Sequence, residues 1–343
     1  MQTAFQKVKE TIRHNPKKWL ITGVAGFIGS NLLEKLLKLD QHVVGIDNFS
    51  TGSNENLEEV KELVGEKYSR NFQFIEGDIR KFSDCQKIIS DVHYVLHLAA
   101  LGSVPRSIND PITTNENNVS GFLNMIVAAK DEGVESFTYA SSSSIYGDNF
   151  ALPKVEENIG KPLSPYALTK QANEFYANVF YNTYGFKTIG IRYFNVFGRR
   201  QDPNGPYAAV IPKWTNAMIS NEDVFINGDG KSSRDFTYVD NIVQLNILAA
   251  VADEKYRNEI INGAMGGRTT LLDLFTSIKM ALIENGIDYD KEPVFRDFRE
   301  GDIPHSHADI SKAQSMLGYE VNESFDDAIK KVVPWYIEKF SDK

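Results

Sequence analysis

Hydrophobic and polar positions in the first half of the chain predict strands and helices in regular alternation. Short apolar runs predict strands at residues 19–22, 42–46, 72–76, 94–99, 136–140 and 188–196. Apolar residues at helical spacing predict helices at 30–39, 121–130 and 166–184. Strands that alternate with helices form a parallel sheet covered on both faces. The pattern therefore predicts an α/β fold built on a doubly wound parallel sheet.

A glycine-rich loop joins the first predicted strand to the first long helix. It has the sequence Gly-Val-Ala-Gly-Phe-Ile-Gly at 23–29, and Asp47 ends the following strand. Glycines allow a tight turn and a close approach to a pyrophosphate, whose charge is favoured at a helix N-terminus. An acid about twenty residues further on accepts hydrogen bonds from a ribose diol and repels a 2′-phosphate. The spacing therefore predicts a Rossmann-type site for NAD rather than NADP.

Several candidate groups follow the predicted strands. Asp78, Ala99 and the four serines at 141–144 each come at or after a strand end, as Asp47 does. The carboxyl ends of parallel strands line one crevice, so we expect these groups to lie close together. His97 stands at the end of its predicted strand, and we interpret it as a structural histidine rather than a catalyst.

The character of the sequence changes near residue 198, after which prolines and short apolar runs alternate. We expect an extension at 1–17, an NAD-binding domain at 18–198 and mainly a smaller α/β substrate-binding domain at 199–343. Segments near 235–239 and 259–262 have the composition of strands that could return to the first sheet. In an acidic chain, Lys213, Arg234 and Arg299 would suit a diphosphate if they converged, although from sequence alone each more often forms a surface ion pair.

Composition restricts the classes of function. A net charge of −9 over 343 residues argues against non-specific nucleic-acid binding. The single cysteine, Cys85, excludes an internal disulfide framework and fits a reducing compartment. No apolar run has the length or composition of a signal peptide or a membrane span. His305 and His307 have no cysteine near them, so no metal site is predicted, and we expect a cytoplasmic protein.

Tyr166 and Lys170 lie four residues apart and would share one face of a helix. Of the fifteen tyrosines, only Tyr166 has a lysine four residues later. An ammonium about 4 Å from a phenol would lower its pKa by about three pH units, enough for a base near neutral pH. An ordinary amphipathic helix explains the spacing equally well by itself. The glycine loop and the nearby serines favour the catalytic interpretation.

Together these residues resemble the extended short-chain dehydrogenase/reductase family. The resemblance runs from Lys18 to Tyr336 and includes the glycine loop, the Tyr166/Lys170 pair and residues 192–195, Arg-Tyr-Phe-Asn. Within the family the chain is similar to UDP-hexose 4-epimerases. Residues 100–107, 198–205 and 298–302 are most similar to the UDP-N-acetylglucosamine 4-epimerases of bacterial O-antigen pathways.

The resemblance implies roles for matching residues. It implies catalysis by Tyr166, Lys170, Ser142 and Ser143, with the assignment among the serines left open. It implies NAD binding by Gly23, Gly26, Phe27, Ile28, Gly29, Asp47, Asn48, Asp78, Ile79, Leu98, Ala99, Ala100, Asn117, Tyr166, Lys170 and Tyr193. It implies substrate binding by Gly102, Ser103, Ser142, Ser143, Ser144, Asn195, Ala209, Val210, Lys213, Phe225, Asn227, Arg234, Arg299, Asp302 and Ser306.

The resemblance also implies a reaction and a substrate. A 4,6-dehydratase has an acidic pair after the catalytic hydroxyl, where this chain has Ser143 and Ser144, so the expected reaction is epimerisation. A tyrosine often occupies the position of Ser306 in 4-epimerases, and a serine leaves room for a 2-acetamido group. We therefore expect UDP-GlcNAc and UDP-GalNAc as substrates. UDP-Glc and UDP-Gal, the uronates UDP-GlcNAcA and UDP-GalNAcA (through Arg106), and a non-catalytic NAD-binding regulator remain alternatives. Related enzymes form homodimers, through the helix that carries Tyr166 and the helix before the serine strand.

Overall fold

The computed structural model describes residues 2–204, 208–298 and 304–340. The strands are β1 Lys18–Thr22, β2 His42–Asp47, β3 Phe72–Glu76, β4 Tyr94–His97, β5 Ser136–Ser142, β6 Thr188–Tyr193, β7 Val196–Phe197, β8 Phe225–Asn227, β9 Ser233–Arg234, β10 Thr237–Tyr238, β11 Glu259–Gly263, β12 Thr269–Thr270 and β13 Val294–Arg296.

The helices are α1 Ala4–His14, α2 Phe27–Lys38, α3 Asn54–Val64, α4 Glu66–Ser69, α5 Phe82–Ile88, α6 Val104–Asn109, α7 Pro111–Asn115, α8 Gly121–Glu132, α9 Pro165–Tyr184, α10 Val210–Ile219, α11 Val239–Ala250, α12 Leu271–Glu284, α13 Ser311–Leu317 and α14 Phe325–Phe340. A π-helical turn spans Glu116–Ser120, and 3₁₀ turns span Ser143–Tyr146 and Glu254–Tyr256. Within these described ranges, no helix has both the length and the apolar character needed to cross a bilayer.

A seven-stranded sheet forms the centre of the described chain, in the order β11-β6-β5-β4-β1-β2-β3. Every pairing in it is parallel. The predicted α/β class is therefore confirmed. The chain runs outward from β1 to β3 and then returns to β4 on the other side of β1, so the order reverses between β1 and β4. Ligands of doubly wound folds bind at such a switch point, beyond the carboxyl ends of the strands.

Side chains of β1 alternate between two apolar clusters. Trp19 and Ile21 are fully buried in one cluster with α2, α11 and α14. Leu20 is fully buried in the other, on the opposite face of the sheet. Ala177 and Phe180 of α9 belong to this second cluster. They hold α9 against the sheet and leave its N-terminal turns at the carboxyl end of β5.

Two segments differ from the sequence-based expectation. Strand β11 lies at the edge of the main sheet, whereas β10 pairs with β7 in a separate two-stranded sheet. The expected return of 235–239 to the main sheet is therefore wrong, because α11 begins at Val239 and leaves only a short strand. The N-terminal segment, expected as an extension, instead packs against the core. Helix α1 starts with a capping box at Thr3 and buries Phe5 and Ile12 in the first cluster.

Candidate active site

A cavity of about 400 Å³ lies over the carboxyl ends of the central strands. Its wall contains predicted residues Gly23, Gly26, Phe27, Ile28, Gly29, Asp47, Asn48, Ile79, Leu98, Ala99, Ala100, Gly102, Asn117, Ser142, Tyr166, Lys170, Tyr193 and Asn195. The switch point therefore brings together most of the residues predicted for NAD and the reacting centre.

The glycine loop forms a cradle that side chains would fill. A Cβ atom at Gly29 would lie 2.1 Å from the Gly23 carbonyl oxygen, and one at Gly23 would lie 2.9 Å from the Ala99 nitrogen. Gly23 has a φ of +72°, which favours glycine. Helix α2 begins at Phe27, and its N-cap, Gly26, provides no capping side chain. The first-turn amides of α2 can therefore donate to a bound anion, and the loop fits the pyrophosphate of a dinucleotide.

Asp47 lies at the cavity wall and is 9% exposed. Its carboxylate accepts hydrogen bonds from the Ala25 and Phe49 amides, both at 2.9 Å. Burial raises the pKa of Asp47, while these amides oppose the rise. Each carboxylate oxygen accepts more than one bond, so Asp47 retains capacity for a ribose diol.

Asp78 is held beside the cavity rather than in its wall. Its carboxylate pairs with the Arg80 guanidinium at 2.6 Å and accepts from the Asn48 amide at 3.3 Å. The hydrogen bond from Arg80 lowers the pKa of Asp78. Its neighbours Gly77 and Ile79 line the cavity. This part of the wall therefore presents the backbone at Gly77 and the apolar side chain of Ile79, rather than the Asp78 carboxylate.

Tyr166, Lys170 and Ser142 converge at the end of β5. Tyr166 and Ser142 both line the cavity there, and Ser142 interacts with the Tyr166 phenol. The buried Lys170 ammonium donates to the Ala140 carbonyl at 2.8 Å. The N-cap of α9, Ser164, accepts from the Ala167 amide, and Pro165 occupies the first helical position. This start places Tyr166 in the first turn of α9, facing the strand.

The pKa shifts of this group correct the sequence-based expectation. Burial raises the pKa of Tyr166, and the hydrogen bond with Ser142 opposes the rise. Burial lowers the pKa of Lys170 to about 8. The expected lowering of the Tyr166 pKa by Lys170 is therefore wrong for the chain alone. Helical spacing placed the two residues on one face, but the ammonium is directed to the strand carbonyl.

The four serines at 141–144 have different surroundings. Ser142 lines the cavity and accepts from the Ser144 amide at 3.2 Å, with its hydroxyl 3.0 Å from that of Ser144. Ser141 donates to the buried Glu174 carboxylate at 2.6 Å. Ser143 and Ser144 begin the 3₁₀ turn after β5 and lie outside the cavity wall. The sequence left open which of these serines has the catalytic role, and the structure favours Ser142.

A π-helical turn directs two consecutive asparagines to different places. Asn117 lines the cavity. The amide of Asn118 accepts from the Leu101 nitrogen at 2.7 Å and donates to the Leu101 carbonyl at 3.0 Å. It also donates to the Thr169 hydroxyl on α9 at 3.1 Å. Asn118 thereby ties the segment before Gly102 to the helix that carries Tyr166.

The remaining predicted substrate residues lie away from this cavity wall. They are Ser103, Ala209, Val210, Lys213, Phe225, Asn227, Arg234 and Ser306. The Arg296 guanidinium lies 3.4 Å from the centre of the Phe225 ring. The side chain of Arg234 donates to the Pro304 carbonyl at 3.1 Å. Arg299 and Asp302 are outside the described residues.

Residues 304–309, here called the strap, carry Ser306 between two parts of the chain. On one side the Ser306 amide donates to the Ser233 carbonyl at 2.9 Å. On the other side the Lys154 amide donates to the His307 carbonyl at 2.7 Å. Asp235, fully buried beneath the strap, accepts from the Ala308 and Met265 amides at 3.2 and 3.1 Å. Burial raises the pKa of Asp235 to about 6.

His97 is a structural residue at the end of β4. It is 4% exposed, and its Nδ1 lies 2.9 Å from the Thr22 hydroxyl. Burial, followed by the nearby Lys170 charge, lowers the pKa of His97 to about 3. Among the described residues, no cluster of three or more histidine, cysteine or acidic side chains could hold a metal ion.

The sequence interpretation missed several residues of the cavity wall. They are Ile46, Ser50, Thr51, Gly77, Ala140, Val196 and Gln201. Most continue a strand end that was already identified, and the rule that ligands bind at these ends could have included them. Gln201 could be found only from the fold, because the chain returns to the cavity after β7.

Comparison with known proteins gives the class. The model of the NAD dependent epimerase/dehydratase family matches residues 19–264. A putative UDP-glucose 4-epimerase of Methanocaldococcus jannaschii is 34% identical over 92% of this chain and 97% of its own length.

Two solved structures share the architecture of nearly the whole chain. The UDP-N-acetylglucosamine 4-epimerase of Methanobrevibacter ruminantium M1, in complex with UDP-N-acetylmuramic acid, is 39% identical. It has a TM-score of 0.86 and covers 94% of this chain and 99% of its own. The UDP-glucuronic acid 4-epimerase of Bacillus cereus, in complex with UDP-glucuronic acid and NAD, is 30% identical, with a TM-score of 0.82 and the same coverage.

The chain belongs to the NAD dependent epimerase/dehydratase family. The predicted cofactor, NAD, is therefore confirmed. The cradle at 23–29 and the retained capacity of Asp47 fit this group.

Proposed function

We propose that the protein is a UDP-sugar 4-epimerase that interconverts UDP-GlcNAc and UDP-GalNAc. The observation that carries the proposal is the convergence of Tyr166, Ser142 and the buried Lys170 at the wall of the cofactor cavity. Relatives that are named 4-epimerases match this chain over nearly its whole length and support the reaction type. The single cysteine, Cys85, is free and fits a reducing compartment, and we therefore propose a cytoplasmic location.

Proton transfer is the task of Tyr166 and Ser142. The glycine loop at 23–29 and Asp47 would hold NAD, which when bound would supply hydride exchange at C4 with return to the opposite face of the sugar, so that the net redox change would be zero. Tyr166 takes the proton of the C4 hydroxyl as hydride leaves and returns it at the end, directly or through Ser142. Lys170 places a positive charge near this proton, and its pKa of about 8 keeps most of it charged at neutral pH.

The residues that follow Ser142 favour epimerisation over dehydration. Elimination of water from a 4-keto sugar needs an acid and a base near C5 and C6. The residues after Ser142 are Ser143 and Ser144, which carry no such groups. Tight binding of the diphosphate would retain the ketone until hydride returns, and we assign this task to Asn195, Lys213, Arg234 and Arg299.

Small residues support an N-acetylated substrate. Gly102 lines the cavity, and a Cβ atom there would meet none of the described atoms within 4 Å. Ser306 and Ala209 are also small, and we place them with Ser103 around the 2-acetamido group. Val210, Phe225, Asn227 and Asp302 complete the proposed nucleotide-sugar site. The related UDP-N-acetylglucosamine 4-epimerase supports the same substrate class.

A size change at Ser306 tests the substrate. Purified protein is incubated with UDP-GlcNAc, UDP-Glc and UDP-GlcNAcA in parallel, without added NAD, and the anomeric NMR signals are followed. We expect UDP-GalNAc from the first substrate, and we expect Ser306→Tyr to abolish that turnover by filling the acetamido space. Ser315→Tyr, on the exposed face of α13, is the matched control and should retain full activity.

Three other results would contradict the proposed substrate or the proposed activity. Undiminished N-acetyl turnover in Ser306→Tyr would remove the role of Ser306. Preferred turnover of the uronate would favour the activity named for the Bacillus cereus relative. A folded protein that converts none of the three would favour an NAD-binding regulator.

We also propose that the enzyme is a homodimer. Leu168, Phe175 and Val179 of α9 are 56, 59 and 51% exposed, although α9 lies against the core on its other side. We call these three side chains the α9 face. Ile112 on α7, a helix that packs against α9, is 73% exposed. Contiguous exposed apolar residues of this kind mark protein–protein contacts, and the helix is the one implied by the family resemblance.

A further inference from the structure

A buried ion pair lies directly behind the proposed reacting centre. Glu174 on α9 and Arg192 on β6 form two parallel hydrogen bonds of 2.9 and 2.8 Å. Their side chains are 8% and 4% exposed, and neither residue lines the cavity. The pair thus has no access to substrate, and the proton-transfer chemistry does not use it.

We propose that Glu174, held by Arg192 and Ser141, is a positioning residue that sets the register of helix α9 along strand β5. The expected effect on turnover rests on the proposed epimerase function. The expected effect on the position of α9 rests on the geometry alone.

Three residues of α9 contact three successive residues at the end of β5. Tyr166, Lys170 and Glu174 are each one turn apart and share one face of the helix. They contact, respectively, the Ser142 hydroxyl, the Ala140 carbonyl and the Ser141 hydroxyl. The bond from Ser141 to Glu174 is 2.6 Å long. The helix is therefore attached to the strand at three points, of which Glu174 lies furthest along the helix.

Arg192 fixes the position of Glu174 from a second strand. Besides its two bonds to Glu174, it donates to the Glu156 carbonyl at 2.9 Å, and its guanidinium lies 5.0 Å from the centre of the Tyr146 ring. A planar guanidinium with two parallel bonds restricts both the distance and the angle of its partner. Glu174 is thus held against β5 and β6 together.

A purely stabilising role explains the pair poorly. Burying two charges is costly, and apolar residues of similar volume are often as stabilising or more so. The directional bonds supply what apolar contacts lack, a defined register. A displacement of about 1 Å near a reacting centre can lower the rate about a hundredfold. A shift of α9 along β5 would change the separation of the Tyr166 and Ser142 hydroxyls directly.

The test replaces the charged pair by an apolar one. In Glu174→Leu with Arg192→Met, we expect the thermal unfolding midpoint to match or exceed that of the wild type. We expect kcat to fall at least ~tenfold with KM changed less than ~threefold, because the sugar-nucleotide contacts are untouched. Ser141→Ala, which removes one bond, should lower kcat by less. Val332→Ala in α14, remote from the cavity, is the stability control and should keep kcat even with a lower midpoint.

A crystal structure provides a readout that does not depend on activity. The Tyr166 Oη to Ser142 Oγ distance should be about 1 Å longer in the double variant than in the wild type. A double variant with wild-type kcat and an unchanged distance would overturn the inference. A wild type that converts no UDP-hexose would instead refute the proposed function, and the two crystal structures would still decide the role of Glu174.

Discussion

At the scale of single residues, burial opposes the charged forms of both members of the reacting pair. It raises the pKa of Tyr166 and lowers that of Lys170 to about 8. The hydrogen bond with Ser142 is the contact that opposes this effect at the phenol. Ser142 therefore has two proposed tasks: it favours the phenolate, and it relays the proton.

Alanine substitutions separate the neighbouring serines. Ser142→Ala should lower kcat roughly a hundredfold, because both the relay and the bond to Tyr166 are lost. Ser143→Ala should change kcat by less than about threefold, because Ser143 lies outside the cavity wall. The NMR assay measures both rates, and the rise of kcat with pH, as Tyr166 loses its proton, should occur at higher pH in Ser142→Ala. Equal losses in the two variants would contradict the assignment of the relay to Ser142.

Lys170 should lower stability while it supports activity. Its folded-state pKa, about 8, lies below its ordinary value of 10.5. The unfolded chain therefore binds more protons between these values, so the wild type gains stability as pH rises through this window. Lys170→Met should stabilise the protein at pH 7 by roughly 2 kcal/mol and abolish turnover. Chemical denaturation at pH 7 and pH 10 measures the gain.

The same experiment contains its own check. Since Lys170 is largely neutral in the folded protein above pH 8, the gain in Lys170→Met should shrink as pH rises towards 10.5. A gain that stays constant with pH would mean that charge burial is not its cause.

At the scale of structural elements, the strap is held by hydrogen bonds from both sides. Strand β9 supports one side, the segment at Lys154 supports the other, and Asp235 accepts two amides beneath it. Because the strap carries Ser306, its position determines where that side chain stands. Asp235 is therefore expected to affect substrate binding without touching the reacting atoms.

Asp235→Asn tests this link. An amide group would place N–H donors against the Ala308 or Met265 amide, at a cost of about 1–3 kcal/mol of folding stability. We expect KM for UDP-GlcNAc to rise about threefold to tenfold with little change in kcat. Asp309→Asn, in the same strap but bonded to Ser311, is the matched control and should keep the wild-type KM.

Protonation of Asp235 should have a similar effect in the wild type. Its pKa is raised to about 6, so the carboxyl becomes protonated as pH falls through 6 and loses one of its two acceptor oxygens. KM should therefore rise below pH 6 in the wild type and vary less in Asp235→Asn. Parallel pH dependence of KM in both proteins would exclude Asp235 as its source.

At the scale of the whole molecule, the α9 face leaves large apolar side chains in solvent on the helix that carries Tyr166. A partner subunit on this face would restrain α9 from outside, while the Glu174–Arg192 pair restrains it from inside. Assembly and the geometry of the reacting centre are therefore expected to be linked.

Phe175→Glu should dissociate the proposed homodimer. Phe175 is 59% exposed in the single chain, and a buried carboxylate at its place would be strongly unfavourable in an interface. Light scattering after size-exclusion chromatography should show a dimer for the wild type and a monomer for the variant. Met280→Glu, which changes a 51% exposed apolar residue on α12, should remain dimeric. A monomeric wild type would refute the proposal.

Local sequence was enough to predict strands β1 to β6, helices α2, α8 and α9, the glycine cradle, Asp47 and the Tyr166/Lys170 pair, but not helices α3 to α7. These features depend on short-range periodicity, on glycine conformations and on helical spacing, which are all encoded within a few residues. The crevice could be predicted too, because parallel strands end at a common edge.

Contacts between distant segments were decided by the tertiary structure. The direction of the Lys170 ammonium, the division of tasks among the serines and the place of β10 all depend on residues far along the chain. The Glu174–Arg192 pair is the clearest example, because burial of two charges is favourable only when the fold supplies the partner and the geometry. Side-chain identity therefore indicated which chemistry was available, and packing determined which atoms face each other.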